Sequence, residues 1–168
     1  MGRFMWRLGV LLGLVFMVSS GGVEARERIL SYDVDIEVLT NGRIHVVEDI
    51  TVVAEGNAIK RGIYRDFPVL YKGRYGERIR VAFDVLEVKR NGRVEPFHLE
   101  RGRASHRLYI GDADTFINRG KHRYTIRYET NRQVGHFENH DELYWNVTGN
   151  DWLFPIDAVS VVLRPPQG

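Results

Sequence analysis

The feature that most constrains the fold of this 168-residue chain is an alternation of apolar and polar residues in short segments. It is clearest where apolar side chains occupy positions 32, 34, 36 and 38, and again positions 124, 126 and 128. Such alternation is typical of β-strands with one buried face. Turn-forming residues separate the segments, and no helical periodicity extends over three turns. The sequence therefore predicts an all-β fold, an antiparallel β-sandwich of about eight to nine strands.

The first two predicted strands are joined by Thr40-Asn41-Gly42, and the parity of their apolar residues indicates the loop length. A two-residue loop would set Val38 opposite His45, whereas a three-residue loop sets it opposite Ile44. Only the second pairing keeps the apolar side chains on one face. We therefore expect the three-residue loop, with Gly42 in the left-handed conformation of a bulged hairpin.

This register places a carboxylate, Glu48, on the inward face of the second strand, roughly opposite Val34. An unpaired carboxylate there would cost several kcal/mol, so Glu48 needs a cationic partner. The nearest candidates in the sequence are Arg61 and Arg65, in the next extended segment. We expect a structural ion pair between Glu48 and one of these arginines, and the alternative is a general acid or base with a raised pKa.

The first 25 residues have the composition of a secretory signal peptide. Arg3 and Arg7 precede an apolar run from Leu8 to Val18, and small residues end at Ala25. The run is shorter than the roughly 20 residues that span a bilayer, and an uncleaved membrane anchor is the alternative interpretation. We therefore expect three parts: a signal peptide at residues 1–25, an exported β-sandwich domain at 26–164, and a linker or truncated end at 165–168.

Charge and cysteine content exclude several functions. The part after residue 25 contains 22 of the 24 basic residues and 21 of the 22 acidic residues, so its net charge is nearly zero. We therefore expect no nucleic-acid partner. The chain has no cysteine, which excludes disulfides, thiol catalysis and cysteine-bound metals. It also has no phosphate-binding glycine loop and no serine in a nucleophile elbow. We therefore expect no cofactor.

The stretch Asp141–Ile156 is the most unusual in composition, because it holds Trp145 and Trp152 beside turn-forming residues. Leu143, Trp145 and Val147 share one parity, which predicts a strand with these side chains in the core. The outer face then forms a candidate binding face of four residues: Tyr144, Asn146, Thr148 and Trp152.

Aromatic rings on that outer face suggest an alternative function. Tyr144 and Trp152 could stack on sugar rings, although tryptophan in a β domain is more often part of the core. The acids Asp141, Glu142 and Asp151 would satisfy a loose version of the two-carboxylate requirement of glycoside hydrolysis. The alternative is therefore a cell-envelope carbohydrate-binding or glycan-processing domain.

Two groups of polar residues resemble metal sites. His136 and His140 precede Asp141 and Glu142, a set that suits zinc, but the helical His-Glu-x-x-His signature is absent. The loop that starts at Gly111 begins like a calcium loop, but a phenylalanine stands where a third oxygen ligand belongs. A solvated loop and turn-capping aspartates are the interpretations that we favour, so no metal site is expected.

Several segments taken together resemble one family. They are Ile29–Val34, Asn41–Glu48, Arg61–Pro68, Tyr109–Asp112, Tyr124–Tyr128, and Glu142–Gly149 with Trp152 and Pro155-Ile156. In this order they are similar to the extracytoplasmic domain of the predicted bacterial membrane proteins of domain-of-unknown-function family 2207. The resemblance implies a signal peptide, an exported β domain, transmembrane helices and a low-complexity tail, with no established activity and no catalytic residues to transfer.

The expected function follows from this resemblance and from the missing catalytic chemistry. We expect a non-catalytic, exported interaction or sensing module on the extracytoplasmic side of the cell membrane. We expect it to contact the membrane through the signal segment or through C-terminal transmembrane helices. This sequence lacks such helices, so we expect the chain to be a fragment. A secreted single domain is the alternative. The other expected partners are an envelope protein or a glycan.

Overall fold

The computed structural model describes residues 26–73 and 76–166. The predicted signal peptide lies outside the described residues, as do Gln167 and Gly168 of the predicted linker. Within the described ranges every regular element is a β-strand, and none of these residues forms a helix of the length and hydropathy needed to cross a bilayer. The strands are β1 (Arg28–Val38), β2 (Arg43–Ala54), β3 (Ile63–Pro68), β4 (Leu70–Lys72), β5 (Arg78–Arg80), β6 (Phe83–Arg90), β7 (Arg93–Val94), β8 (Phe97–Arg101), β9 (Ser105–Ile110), β10 (Gly120–Asn131), β11 (Val134–His136), β12 (Asp141–Leu143) and β13 (Val159–Arg164).

A six-stranded sheet forms the larger layer, in the order β13-β1-β2-β10-β6-β7. Its centre is built from β1, β2 and β10, the strands with the strongest alternation in the sequence. Every second side chain on these strands is therefore buried on the same face. The buried apolar residues of the three strands are Ile29, Tyr32, Val34, Ile36, Ile44, Val46, Ile50, Val52, Ala54, Tyr124, Ile126 and Tyr128.

The second layer is a three-stranded sheet in the order β3-β9-β8. Its inward residues include Phe67 on β3, whose ring centroid lies 4.1 Å from that of Phe83 on β6 and 5.0 Å from that of Tyr128 on β10. These ring contacts join the two layers across the core. Two small hairpins, β4-β5 and β11-β12, complete the fold. The predicted all-β sandwich is confirmed.

The predicted register of the first hairpin is also confirmed. Val38 pairs with Ile44, and Ile36 pairs with Val46. The amide of Leu39 donates to the carbonyl of Arg43 at 2.9 Å, so three residues form the loop. Gly42 has φ 76°, the left-handed conformation that the parity argument requires.

The number of strands differs from the prediction. The described residues form thirteen strands rather than eight or nine, because β4, β5, β7, β11 and β12 are only two or three residues long. Strands this short contain too few residues to show an alternation, so the pattern in the sequence does not reveal them.

One strand pairing also departs from the expected antiparallel arrangement, since β13 runs parallel to β1. After β12 the chain follows a long connection to the far edge of the large sheet, where Ile29 bridges Ile156 in parallel. A connection of this length allows β13 to align with β1 in the same direction. The sequence predicts a final strand at Ala158–Leu163, and β13 at Val159–Arg164 corresponds to it, as an exposed edge.

Candidate functional site

The inward carboxylate of Glu48 lies in the centre of a hydrogen-bonded group that joins the two layers. Arg65 on β3 donates from Nε to Glu48 Oε2 at 3.0 Å and from Nη2 to Oε1 at 3.2 Å. The hydroxyl of Tyr32 donates to Oε2 at 2.6 Å and that of Tyr128 to Oε1 at 2.9 Å. We call Tyr32, Glu48, Arg65 and Tyr128 the buried quartet. Each residue is at most 4% exposed.

Charge within the quartet is balanced. Burial disfavours the charged guanidinium, but the negative charge of Glu48 outweighs it and raises the pKa of Arg65 above its ordinary value. Burial, with the charge of Glu48 adding to it, raises the pKa of Tyr32 and Tyr128 well above 10.0. Both tyrosines are therefore neutral donors at ordinary pH. The quartet carries one positive and one negative charge, and its net charge is zero.

The structure thus brings only one of the two candidate arginines to Glu48. Arg65 contacts the carboxylate, whereas Arg61 lies with its guanidinium 4.1 Å from the ring centroid of Phe116. Residues of a strand alternate between its faces, and on β3 the inward positions are those of Ile63, Arg65 and Phe67. Arg61 has the same parity but precedes β3, so parity alone could not have separated the two candidates.

A cavity of about 350 Å³ opens beside Arg65, and we call it the aromatic cavity. The rings of Phe67, Phe83 and Tyr128 pack on one another within it, with centroids 4.1–5.0 Å apart. Its remaining described lining residues are Pro68, Tyr71, Val81, Gln133, Tyr144, Trp145, Asn146, Gly149 and Asn150. The lining is therefore largely aromatic and apolar, with three neutral amide side chains.

The Trp145 indole provides an unpaired donor in the wall of this cavity. Its Nε1 atom is buried, and among the described residues no group accepts a hydrogen bond from it. A buried N–H without a partner costs roughly 1–3 kcal/mol. Nearby, the amide of Asn146 donates to Oδ1 of Asn150 at 2.9 Å, which leaves one carbonyl oxygen and one amide group of this pair for other partners.

Gly149 brings the turn after Asn146 against the quartet. It has φ 71°, and a Cβ placed there would lie 2.0 Å from Nη1 of Arg65. Since that arginine is held by Glu48, the turn can approach it only with glycine at this position. The buried quartet therefore also positions the polar rim of the cavity.

The predicted binding face divides into two parts. Tyr144, which is 81% exposed, and Asn146 line the aromatic cavity. Trp152 does not: its indole N–H donates to the carbonyl of Thr148 at 2.8 Å, and its ring packs edge-on against Tyr32 at 5.9 Å. Thr148 and Trp152 therefore brace the turn internally, and neither lines the aromatic cavity.

The sequence did not predict that Trp145 forms part of a cavity wall. Its parity predicts a core residue, but β12 ends at Leu143, so the alternation stops before Trp145. The ring is only partly buried and forms a cavity wall. The contribution of Gln133, Asn150 and Phe83 was also missed, because these residues come from separate parts of the chain and no local pattern connects them.

The residues considered for metal binding and hydrolysis lie elsewhere. His136 contacts Asp141 at 2.7 Å and His140 lies 3.9 Å from Glu142, so the four side chains form two separate pairs. Within the described ranges, no three such side chains are grouped to hold a metal ion. Asp141, Glu142 and Asp151 do not line the aromatic cavity.

The loop considered for calcium contains a capped turn. Oδ1 of Asp112 accepts from the amide of Asp114 at 2.7 Å, and the amide of Thr115 donates to the carbonyl of Asp112 at 3.3 Å. The first carboxylate of the loop is thus occupied by the local backbone, as expected for an aspartate that caps a turn.

Two solved structures illustrate distant likenesses to this chain. Yeast LTA4 hydrolase bound to bestatin matches 61% of this chain and 14% of its own at 16% identity, with a TM-score of 0.42. An M1 zinc metallopeptidase mutant from Deinococcus radiodurans matches 64% of this chain and 21% of its own at 13% identity, with a TM-score of 0.40. Likenesses at this level carry no argument about this chain.

Comparison of sequences is more informative. The chain is 32% identical over 130 residues to the uncharacterized protein YciQ of Escherichia coli K12, a match that covers 77% of this chain. It spans only 21% of the length of that relative. The model of the N-terminal domain of the predicted membrane protein family DUF2207 matches residues 28–168. The chain therefore belongs to the DUF2207 family of predicted membrane proteins and contains the N-terminal domain of that family.

Proposed function

We propose that this domain is a non-catalytic interaction or sensing module, exported to the extracytoplasmic side of the membrane, that binds a ligand in the aromatic cavity. The observation that carries this proposal is the cavity itself, whose lining combines the exposed ring of Tyr144 and the ring of Trp145 with the free amide groups of the Asn146–Asn150 pair. A mostly apolar pocket with a few polar groups is typical of small-molecule sites.

The chemistry of the lining supports binding rather than catalysis. Among the described residues that line the cavity there is no aspartate, glutamate, histidine, lysine, serine or threonine. Arg65 is held by Glu48, and the hydroxyl of Tyr128 is occupied as a donor to the same carboxylate. Apart from the hydroxyls of Tyr71 and Tyr144, the described lining therefore presents no nucleophile or general base.

Export to the extracytoplasmic side is supported by the signal-like composition of residues 1–25 and by the family of predicted membrane proteins. Its test is a fusion of alkaline phosphatase after Arg164 of the full chain in bacteria, because the enzyme is active only outside the cytoplasm. Activity that is lost when residues 1–25 are deleted supports export. An inactive fusion that accumulates in the cytoplasm contradicts it.

Binding is tested by NMR on the purified chain, with the indole N–H signals of Trp145 and Trp152 as reporters. The probes are neutral disaccharides, an uncharged capped tripeptide and zwitterionic detergent micelles. Movement of the Trp145 signal with any probe, while the Trp152 signal stays fixed, supports a ligand in the cavity. A Trp145 signal that does not respond to any of these classes contradicts the proposal.

A further inference from the structure

We infer that the ligand of the aromatic cavity is a neutral saccharide, bound through one or two of its sugar rings. This inference rests on the proposed binding function and adds the chemical class of the ligand. It is carried by the charge of the cavity, by the polar groups at its rim and by the placement of its aromatic rings.

The cavity favours a ligand without net charge. Among its described lining residues only Arg65 is charged, and the carboxylate of Glu48 contacts that guanidinium at 3.0 Å. A charged ligand would lose its hydration without gaining an uncompensated counter-charge. A neutral ligand avoids this cost.

The rim suits hydroxyl groups, which both donate and accept hydrogen bonds. The Asn146–Asn150 pair leaves one carbonyl oxygen and one amide group for a ligand. A hydrocarbon group would leave both of these unsatisfied, whereas adjacent hydroxyls of one sugar ring can pair with donors and acceptors together.

The aromatic rings suit the apolar C–H faces of a sugar. Phe67 and Phe83 form a covered floor, stacked on each other at 4.1 Å, whereas Tyr144 is 81% exposed among the lining residues. A solvent-exposed ring beside a cavity can pack on a second ring of the ligand and contributes little to the fold. This explains an exposed tyrosine in a cavity whose other rings are largely covered.

Size limits the ligand to a small unit. The cavity of about 350 Å³ lies near the lower end of the roughly 300–1,000 Å³ typical of small-molecule sites. It can take one ring, with a second ring against Tyr144 at the opening.

The test is a titration of the full chain with maltose, cellobiose and chitobiose, followed by the NMR signal of the Trp145 indole. We expect saturable binding of at least one disaccharide at millimolar concentration. Tyr144→Ala removes the exposed ring at the opening, so affinity, followed in the variants by backbone amide signals, should fall about tenfold. Phe116→Ala is the matched control and should leave the affinity unchanged, because that ring is 63% exposed but does not line the cavity.

The remaining measurements distinguish a failure of the saccharide inference from a failure of the proposed binding function. Glucuronic acid should bind at least several-fold more weakly than glucose. If the uncharged tripeptide saturates the Trp145 signal and no saccharide does, the saccharide inference is wrong while binding in the cavity stands. If neither class moves the Trp145 signal, both fail. Equal affinity of wild type and Tyr144→Ala for a saccharide would also overturn the inference.

Discussion

Glu48 occupies a position where the alternation of β2 points an acidic side chain into the core. Four hydrogen bonds from Arg65, Tyr32 and Tyr128 replace the water that the carboxylate loses. Such a buried pair adds little net stability compared with apolar residues, but removal of one partner leaves a buried charge uncompensated. The quartet is therefore expected to be much more sensitive to truncation than an exposed ion pair.

We expect Glu48→Ala to lower the free energy of unfolding by about 3–5 kcal/mol, because Arg65 remains buried without its counter-charge. Urea denaturation measures this loss. The control is Asp49→Asn on the opposite face of β2, where Asp49 pairs with a largely exposed Arg123. That substitution should cost about 1 kcal/mol or less. Equal losses for the two variants would contradict the structural role of the quartet.

At the scale of elements, the turn after Asn146 depends on the element that it packs against. Gly149 and Gly42 both have a positive φ, but their surroundings differ. Nothing lies within 4 Å of a Cβ built on Gly42, whereas a Cβ on Gly149 meets the guanidinium of Arg65. The two glycines form a matched pair in which only one has a packing constraint.

We expect Gly42→Ala to destabilise the domain by about 1–2 kcal/mol, the cost of a left-handed alanine. Gly149→Ala should cost clearly more, because the added methyl group displaces Arg65 from Glu48 as well. Thermal unfolding of both variants measures the difference. Equal shifts of the melting temperature would contradict this prediction, because they would mean that Arg65 moves away from the methyl group without a loss of stability.

The strand β13 is a second element with an unusual setting. It forms one edge of the large sheet, and Val159, Val161, Val162 and Leu163 are 44–53% exposed. The opposite edge is β7, only two residues long and followed by Pro96. Long apolar edges without charges are prone to pair with other strands.

We expect Val161→Lys to reduce self-association of the purified chain, because a charge on the edge opposes strand pairing. Static light scattering over a range of concentrations measures the change. Tyr109→Lys is the control: Tyr109 is 39% exposed but lies on β9, where it pairs with both β3 and β8. If both lysines reduce association equally, general solubility rather than the edge is responsible.

At the scale of the whole molecule, buried tyrosines connect folding to alkaline pH. Burial raises the pKa of Tyr32, Tyr124 and Tyr128 above the ordinary value of 10.0. In the native state they stay neutral, while in the unfolded chain they ionise near pH 10. Their contribution to stability is therefore complete below pH 10 and is lost as the pH rises above it.

We expect these three of the eight tyrosines to ionise only when the domain unfolds. A titration followed by tyrosinate absorbance should show a phase above pH 10 that coincides with loss of β-sheet signal in circular dichroism. A single phase near pH 10 in a still folded protein would contradict the burial of these side chains.

Much of the fold could be predicted from the sequence, because it follows from local periodicity. The alternation on β1, β2 and β10 indicates the sandwich, and the parity of Val38 and Ile44 indicates the register of the first hairpin. The aromatic cavity could not be predicted in this way. Its walls come from distant segments, and Trp145 reaches it only because the alternation of β12 has already ended.

The quartet also has an evolutionary consequence. Loss of Glu48 alone leaves the hydroxyls of Tyr32 and Tyr128 without their acceptor and Arg65 without its counter-charge, and loss of Arg65 alone leaves the carboxylate without its cation. Each single step passes through a destabilised intermediate, whereas replacement of the set by apolar residues does not. We therefore expect the four positions to covary in descendants of this domain, kept together or exchanged together, so that they mark lineages within the family.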